Sequence, residues 1–145
     1  MAQTKKKKYK DLFKLEKKID LKNFVYDMIQ DDEGPQKKLK LIYNDKIKIN
    51  EITCEKIKYE ISRIIGFEPA SLFKLSITCL VEAFFKEKTS DILDKQELIS
   101  LMKDNLDEFC GGVLSYISYL ISSVTMIHNY PMITQPYPYD NIEIS

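Results

Sequence analysis

Phe73-Lys74-Leu75-Ser76-Ile77-Thr78-Cys79-Leu80-Val81-Glu82-Ala83-Phe84-Phe85 is the stretch that decides the fold. Every odd position in it is apolar. Lys74, Ser76, Thr78 and Glu82 lie between them, and only Leu80 and Phe84 break the pattern. A period of two over this length is the mark of a half-buried β-strand. Leu80 and Phe84 then fall on the face turned away from the core.

Three earlier segments alternate in the same way. Ile57, Tyr59, Ile61, Ile65 and Phe67 share one face, against Lys56, Lys58, Glu60 and Ser62. Arg63 stands in the apolar register there, so it lies near an edge or is paired. Leu39, Leu41, Tyr43, Ile47 and Ile49 alternate with Lys40, Asn44, Lys46 and Lys48. The first strand runs Phe13, Leu15, Ile19, Leu21 and then changes parity to Phe24, Tyr26, Met28. A change of parity inside one strand is the signature of a β-bulge, with Asn23 as its site. The connectors Asp31-Asp32-Glu33-Gly34-Pro35, Asn50 to Glu55 and Gly66-Phe67-Glu68-Pro69 are too short for helical crossovers. That predicts an antiparallel meander with one apolar and one polar face.

Past the fourth strand the period becomes helical. Asp94 with Glu97 three residues on forms a capping-box pattern. Leu98, Leu101, Met102, Leu106 and Phe109 follow at helical spacing. Gly111-Gly112 interrupts, and Val113, Leu114, Ile117, Leu120, Ile121 and Val124 resume it. Tyr130-Pro131 and Pro136-Tyr137-Pro138-Tyr139 force extended chain. The expected fold class is α+β, a four-stranded antiparallel meander followed by one long, interrupted helix and an extended Pro-rich tail.

Composition narrows the function. The chain has 145 residues, 44% apolar and 30% charged, with 22 basic and 22 acidic side chains. That fits one soluble globular domain, 1–145, with a basic, flexible arm at 1–10. Residues 1–18 are strongly basic and residues 91–145 strongly acidic, read as a solvated tail and a solvated helix face. Cys54, Cys79 and Cys110 lie far apart without metal-ligand spacing, as expected of reduced thiols. Lys5 to Lys8 lead into Tyr9-Lys10-Asp11 rather than an apolar signal core, and the apolar run 113–127 is too short to span a membrane. The expected address is cytoplasmic.

Catalytic chemistry is thinly supplied. The one histidine, His128, stands near a helix end, where a cap or surface role is the ordinary one. No Gly-rich phosphate loop or nucleophile signature appears. Asp104, Asp107 and Glu108 read as a solvated helix side. The expectation is a non-enzyme without cofactor or metal. Nucleic-acid binding rests on Lys14, Lys40, Lys46, Lys48, Lys56, Lys58, Lys74 and Lys86 on the polar sheet face. Stacking wants exposed aromatics beside the lysines, and only Phe84 offers itself. Apolar surplus is the stronger signal. Tyr116, Tyr119 and Ile127 widen the apolar arc of the last helix beyond what one sheet face covers, which implies a second surface.

This element order resembles the SecB export-chaperone family. Phe109-Cys110-Gly111 stands where that family has an aromatic-Cys-Pro step. Leu114-Ser115-Tyr116 is similar to its Leu-Phe-Pro-Tyr segment. Ile121-Ser122-Ser123-Val124 matches its Ile-Ser-Ser-Leu, and Tyr130-Pro131-Met132-Ile133 with Pro136 matches its close. Pro gives way to Gly111, an expected Arg is missing, and little chain follows Tyr139 for the family's second helix. The resemblance implies an ATP-independent holdase that binds unfolded or extended clients in apolar grooves, in export or as a guardian of antitoxins in toxin–antitoxin systems. Its client contacts would be Leu80, Phe84, Tyr130, Ile133, Tyr137 and Tyr139. A homo-oligomer, dimer or tetramer, would use Tyr116, Tyr119, Leu120 and Ser123. Exporting members meet SecA through an acidic sheet face, and the lysine-rich face here argues against that partner. The alternatives are a nucleic-acid-binding module on the lysine face and a mobile-element interaction protein without chaperone activity.

Overall fold

A computed structural model describes residues 8–29, 40–68, 72–87, 94–126, 132–140 and 142–145. The elements are α1 (Tyr9–Leu12), β1 (Phe13–Ile29), β2 (Lys40–Ile52), β3 (Lys56–Glu68), β4 (Leu72–Phe85), α2 (Lys95–Asp104), α3 (Leu106–Cys110), α4 (Val113–Thr125) and β5 (Glu143–Ile144). All four alternating segments are strands, and the class is α+β.

The meander is corrected. Strand order is β1-β4-β3-β2-β5, so β1 pairs with β4 and not with β2. Only β2, β3 and β4 follow one another as antiparallel neighbours. The ten positions between β1 and β2 reach about 33 Å when extended. Crossing the sheet takes three strand spacings of about 4.8 Å. A link without a helix therefore suffices to carry the chain from one edge to the other. A fifth strand also joins, because β5 adds to β2 in parallel.

The expected bulge is present, but at Lys22 rather than at Asn23, which is paired. Leu21 faces Cys79 and Asn23 faces Thr78, so Lys22 is the extra residue. A second irregularity lies between Phe13, opposite Phe85, and Lys17, opposite Ala83. Two extra residues there leave Leu15 almost wholly exposed.

The core lies on one sheet face. Ile57, Tyr59, Ile61, Ile65, Leu75, Ile77, Cys79, Val81 and Ala83 are buried beneath Leu98, Met102, Phe109, Val113, Leu114, Ile117 and Ile121 from the helices. The Tyr59 hydroxyl donates to the Phe109 carbonyl at 2.6 Å, fastening α3 to mid-sheet. Of the basic segment 1–10, residues 1–7 lie outside the described residues, while Tyr9 opens α1 and is buried against Phe13 and Phe109.

The helix is interrupted at Gly111-Gly112 as expected and also breaks at Asn105, so it runs as three pieces. Asp94 caps α2 by accepting the Glu97 N–H at 2.8 Å. Asn105 breaks the run, its side-chain amide donating to Leu101 O and its oxygen accepting the Tyr9 N–H. Two glycines make the second break for different reasons. Gly112 has φ +79°, where an L side chain costs about 1–2 kcal/mol. A Cβ on Gly111 would meet the Asp107 carbonyl oxygen at 2.8 Å. Lys17 donates to the carbonyls of Glu108 and Gly111, closing the end of α3 with a positive charge. Gly111→Ala and Gly112→Ala should each lower unfolding stability by about 1–2 kcal/mol in urea titration. Unchanged midpoints for both would contradict the account of this joint.

Candidate functional site

The outer sheet face is a mesh of ion pairs around a few apolar side chains. Lys56 donates to Glu82 at 3.2 Å, and Lys58 lies 3.6 Å from Glu82 and 3.4 Å from Glu51. The Lys56 hydrogen bond holds the Glu82 carboxyl below its ordinary value. Lys22, pushed out by the bulge, reaches the buried Glu60. Leu80 stands in register between Asp20 and Glu60 and is half-buried. Phe84 is half-buried beneath Lys56, whose ammonium lies 5.8 Å from the ring centre. Toward the far end of the sheet, Ile42, Ile64, Gly66, Phe67, Phe73 and Lys74 line an open, mainly apolar depression of about 260 Å3. Gly66 keeps it open because its missing side chain leaves only the Lys74 stem nearby.

Arg63 is paired, not at an edge. It is wholly buried and forms a bidentate bridge to the equally buried Asp45, Nε to Oδ1 at 2.7 Å and Nη2 to Oδ2 at 2.9 Å. Nη1 donates to Ser118 Oγ, Thr134 Oγ1 and the Gln135 carbonyl, and Nη2 to the Tyr137 carbonyl. Asp45 Oδ2 also accepts the Tyr139 N–H at 3.0 Å. Every guanidinium N–H thus has an acceptor. The pair joins β2, β3, α4 and the tail. Tyr139 closes it, stacking on Tyr43 at 4.7 Å and lying 4.7 Å over the guanidinium. Upstream, Thr125 Oγ1 accepts the Met132 N–H at 2.7 Å and pins the start of the tail to α4.

Tail residues differ in exposure. Ile133 is 83% exposed and Tyr137 largely so, while Tyr139 is half-buried. Tyr130 lies outside the described residues. On α4, Tyr116 and Tyr119 are exposed, Leu120 is partly buried against the core, and the exposed Ser123 donates to the Tyr119 carbonyl.

Two of the three cysteines are buried. Burial pushes the Cys79 thiol up to about 11 and the Cys110 thiol up to about 12. Burial also lifts the Tyr59 hydroxyl well above its ordinary value. Among the described residues no three His, Cys, Asp or Glu side chains converge to hold a metal ion, and no helix is long and apolar enough to cross a membrane.

Solved structures supply the comparison. The chain is similar to the SecB-like chaperone Rv1957 of Mycobacterium tuberculosis, solved in complex with a ChAD peptide from the Rv1956 HigA1 antitoxin. The match has a TM-score of 0.56 at 12% identity, covering 83% of this chain and 85% of that one. The fold is SecB-like. A protein of unknown function from Streptococcus agalactiae also matches, at TM-score 0.40 and 12% identity, over 83% of this chain and 96% of that one. No family model matches the sequence, and no curated protein does.

On this SecB-like fold the residues singled out from sequence do not form one site. Leu80 and Phe84 lie on the outer sheet face. Ile133, Tyr137 and Tyr139 follow the tail, with Tyr139 against Tyr43 of β2. Tyr116, Tyr119, Leu120 and Ser123 belong to α4. Sequence reasoning missed the exposure of β1. Ile19 and Leu21 face the core side opposite the buried Val81 and Cys79, yet are 36% and 45% exposed. The helices therefore cover β4 and leave β1 open one strand further out. The depression at Gly66 was also missed. Its signal was Gly66 opposite Ile42, a side-chain gap in an otherwise filled row.

Proposed function

We propose that this chain is an ATP-independent holdase that keeps extended or unfolded client polypeptides from aggregating, with an antitoxin segment as the favoured client class. The observation that carries the reading is a SecB-like fold whose apolar side chains remain accessible on both sheet faces. Ile19 and Leu21 stand open on the helix side, and Ile42 is exposed at the Gly66 depression on the other. Holding needs only apolar surface and accessible backbone, so no cofactor or catalytic group enters the proposal. The M. tuberculosis neighbour, solved with an antitoxin peptide, favours the same client class. A cytoplasmic homo-oligomer completes the proposal, its interface on α4 at Tyr116, Tyr119, Leu120 and Ser123.

The outer face argues against phosphate binding as the main activity. Lys22, Lys46, Lys56 and Lys58 are engaged by carboxylates. The neighbouring carboxylates lower the net positive charge at these four positions.

Two sets of variants test the assignment. Phe84→Ser and Tyr137→Ser should each weaken suppression of client aggregation while circular dichroism stays unchanged. Melting of both variants would make these residues structural and remove them from the client surface. Leu120→Lys should dissociate the assembly in light scattering, since it would bury an unpaired charge at the interface. A wild-type monomer at micromolar concentration would remove the oligomer from the proposal.

A further inference from the structure

Gly66 stands inside β3, where a glycine weakens the strand and marks a place that something else approaches closely. Neither backbone nor packing calls for it. The one described glycine at positive φ is Gly112. A Cβ on Gly66 would meet nothing nearer than Lys74 Cγ at 4.0 Å, an ordinary contact. What the missing side chain leaves is the depression. Ile42 stands in register opposite Gly66 and is 39% exposed, and Asn44 stands opposite the half-buried Ile64. At about 260 Å3 the space is smaller than the pockets of about 300–1,000 Å3 that enclose a small molecule, and it suits one large side chain.

The polar groups at the rim are uncommitted. Lys22, Lys46, Lys56 and Lys58 have carboxylate partners. The exposed Lys74 forms no ion pair among the described residues, although Asp27 stands in register beside it on β1. The Asn44 carboxamide makes no hydrogen bond among the described residues either, and it lines the depression. It carries donors and an acceptor, the two kinds of group that a main-chain amide needs opposite it. A segment lying extended on the sheet turns every second side chain toward it, about 6.7 Å apart. Lys74 stands on the strand beside Gly66, about 4.8 Å away, and its four-carbon stem covers the remainder. An acid two positions from a side chain seated over Gly66 therefore comes within reach of the Lys74 ammonium.

We propose that the Gly66 depression is the seat for one large apolar residue, Phe or Leu, of an extended client, and that Lys74 selects an acidic residue two positions from it. Asn44 bonds to the client main chain beside the seat. The inference rests on the holdase reading and gives that activity a sequence preference, apolar-x-acidic, which apolar surface alone does not supply. The apolar half of the pattern follows from Ile42, Ile64 and the gap at Gly66. The acidic half follows from an unspent ammonium on a face whose other engaged lysines already have carboxylates.

The test is a nuclear magnetic resonance titration of the full chain with the peptide Gly-Ser-Ser-Phe-Ser-Glu-Ser-Ser-Gly. Amide shifts should centre on Ile42, Asn44, Gly66 and Lys74. Gly66→Val fills the seat from within. It should weaken binding at least about tenfold, while the urea midpoint stays the same or rises because a β-branched residue favours a strand. Replacing the peptide's Phe by Ser should cost as much on the wild-type chain, which keeps the test open if a variant does not fold. Lys74→Glu should weaken binding about threefold and should prefer a peptide carrying Lys in place of Glu, a reversal that a merely structural Lys74 would not produce. Shifts centred on another surface, binding unchanged by Gly66→Val, or no reversal of charge preference would each overturn the proposal. Contacts of Gly66 with residues 30–39 in the free chain would give the depression to the chain's own link and overturn it too. Shifts at Gly66 that grow with protein concentration alone would give it to a second copy, with the same consequence. Absence of peptide binding beside intact suppression of aggregation removes the seat and spares the holdase. Binding as expected from a chain that holds no unfolded client supports the seat and removes the holdase.

Discussion

Asp45→Ala should cost the protein about 3–5 kcal/mol of folding stability. The reason is geometric. Arg63 is wholly buried, and Asp45 supplies the only carboxylate it touches among the described residues. Removing that carboxylate leaves a guanidinium in the core with only neutral acceptors, and it strands the Tyr139 N–H. Replacing both partners with apolar residues, Asp45→Leu with Arg63→Met, should recover at least half of the loss, because no buried charge remains. The double variant should still release the tail. Ser118, Thr134, Gln135 and Tyr137 all lose their shared donor. Urea titration reads the first effect, and chymotrypsin cleavage after Tyr139 reads the second. A double variant as unstable as Asp45→Ala, or as protease-resistant as the wild type, would contradict the role given to this pair.

The second large effect belongs to Phe109. Its ring meets Tyr9 at 4.8 Å, Phe13 at 5.4 Å and Tyr59 at 5.9 Å between centroids, each edge to face. It is fully buried and comes from α3, which is only five residues long. A helix that short is held by what it packs against rather than by its own hydrogen bonds. Phe109→Ala should therefore cost about 3–5 kcal/mol, from lost transfer energy and the cavity left behind. Phe109→Leu keeps most of the volume and should cost no more than about 1.5 kcal/mol. The alanine variant should also loosen α1, visible as a reduced near-ultraviolet signal from Tyr9. A small loss for Phe109→Ala would mean that α3 is fastened chiefly by the Tyr59 hydroxyl.

Strands were legible in the sequence and their order was not, for one physical reason. Alternation records which side chains face the core, and that record is unchanged when strands are permuted. Nothing in the pattern of β1 says that its neighbour is β4. The two irregularities of β1 make the same point. One extra residue, Lys22, shifts the parity from Leu21 to Phe24, so it can be read. Two extra residues between Phe13 and Lys17 restore the parity, so they cannot.

Arg63 was recognisable as an anomaly, and its partner was recognisable too. The second strand has apolar residues at 41, 43, 47 and 49, and the gap at 45 is filled by Asp45. Opposite charges in the apolar register of adjacent strands predict a buried pair, and the two stand in register. The tail was legible as extended chain from its prolines. Its attachment to Arg63, Thr125 and β2 depends on hydroxyls and backbone groups that carry no sequence pattern. The surfaces that bear on function were legible only in part. Leu80 and Phe84 broke the alternation and stand half-buried on the outer face. The openness of β1 depends on where the helices stop.

The measurement closest to the central claim is suppression of aggregation of a denatured client by the wild-type chain, without nucleotide. It should be run from about 50 to about 500 mM salt, a range over which phosphate binding falls by orders of magnitude. A holdase that works through apolar surface should suppress aggregation at stoichiometric amounts with a nearly flat salt dependence. No suppression at any ratio, or tight salt-sensitive binding to single-stranded nucleic acid that displaces unfolded protein, would contradict the account.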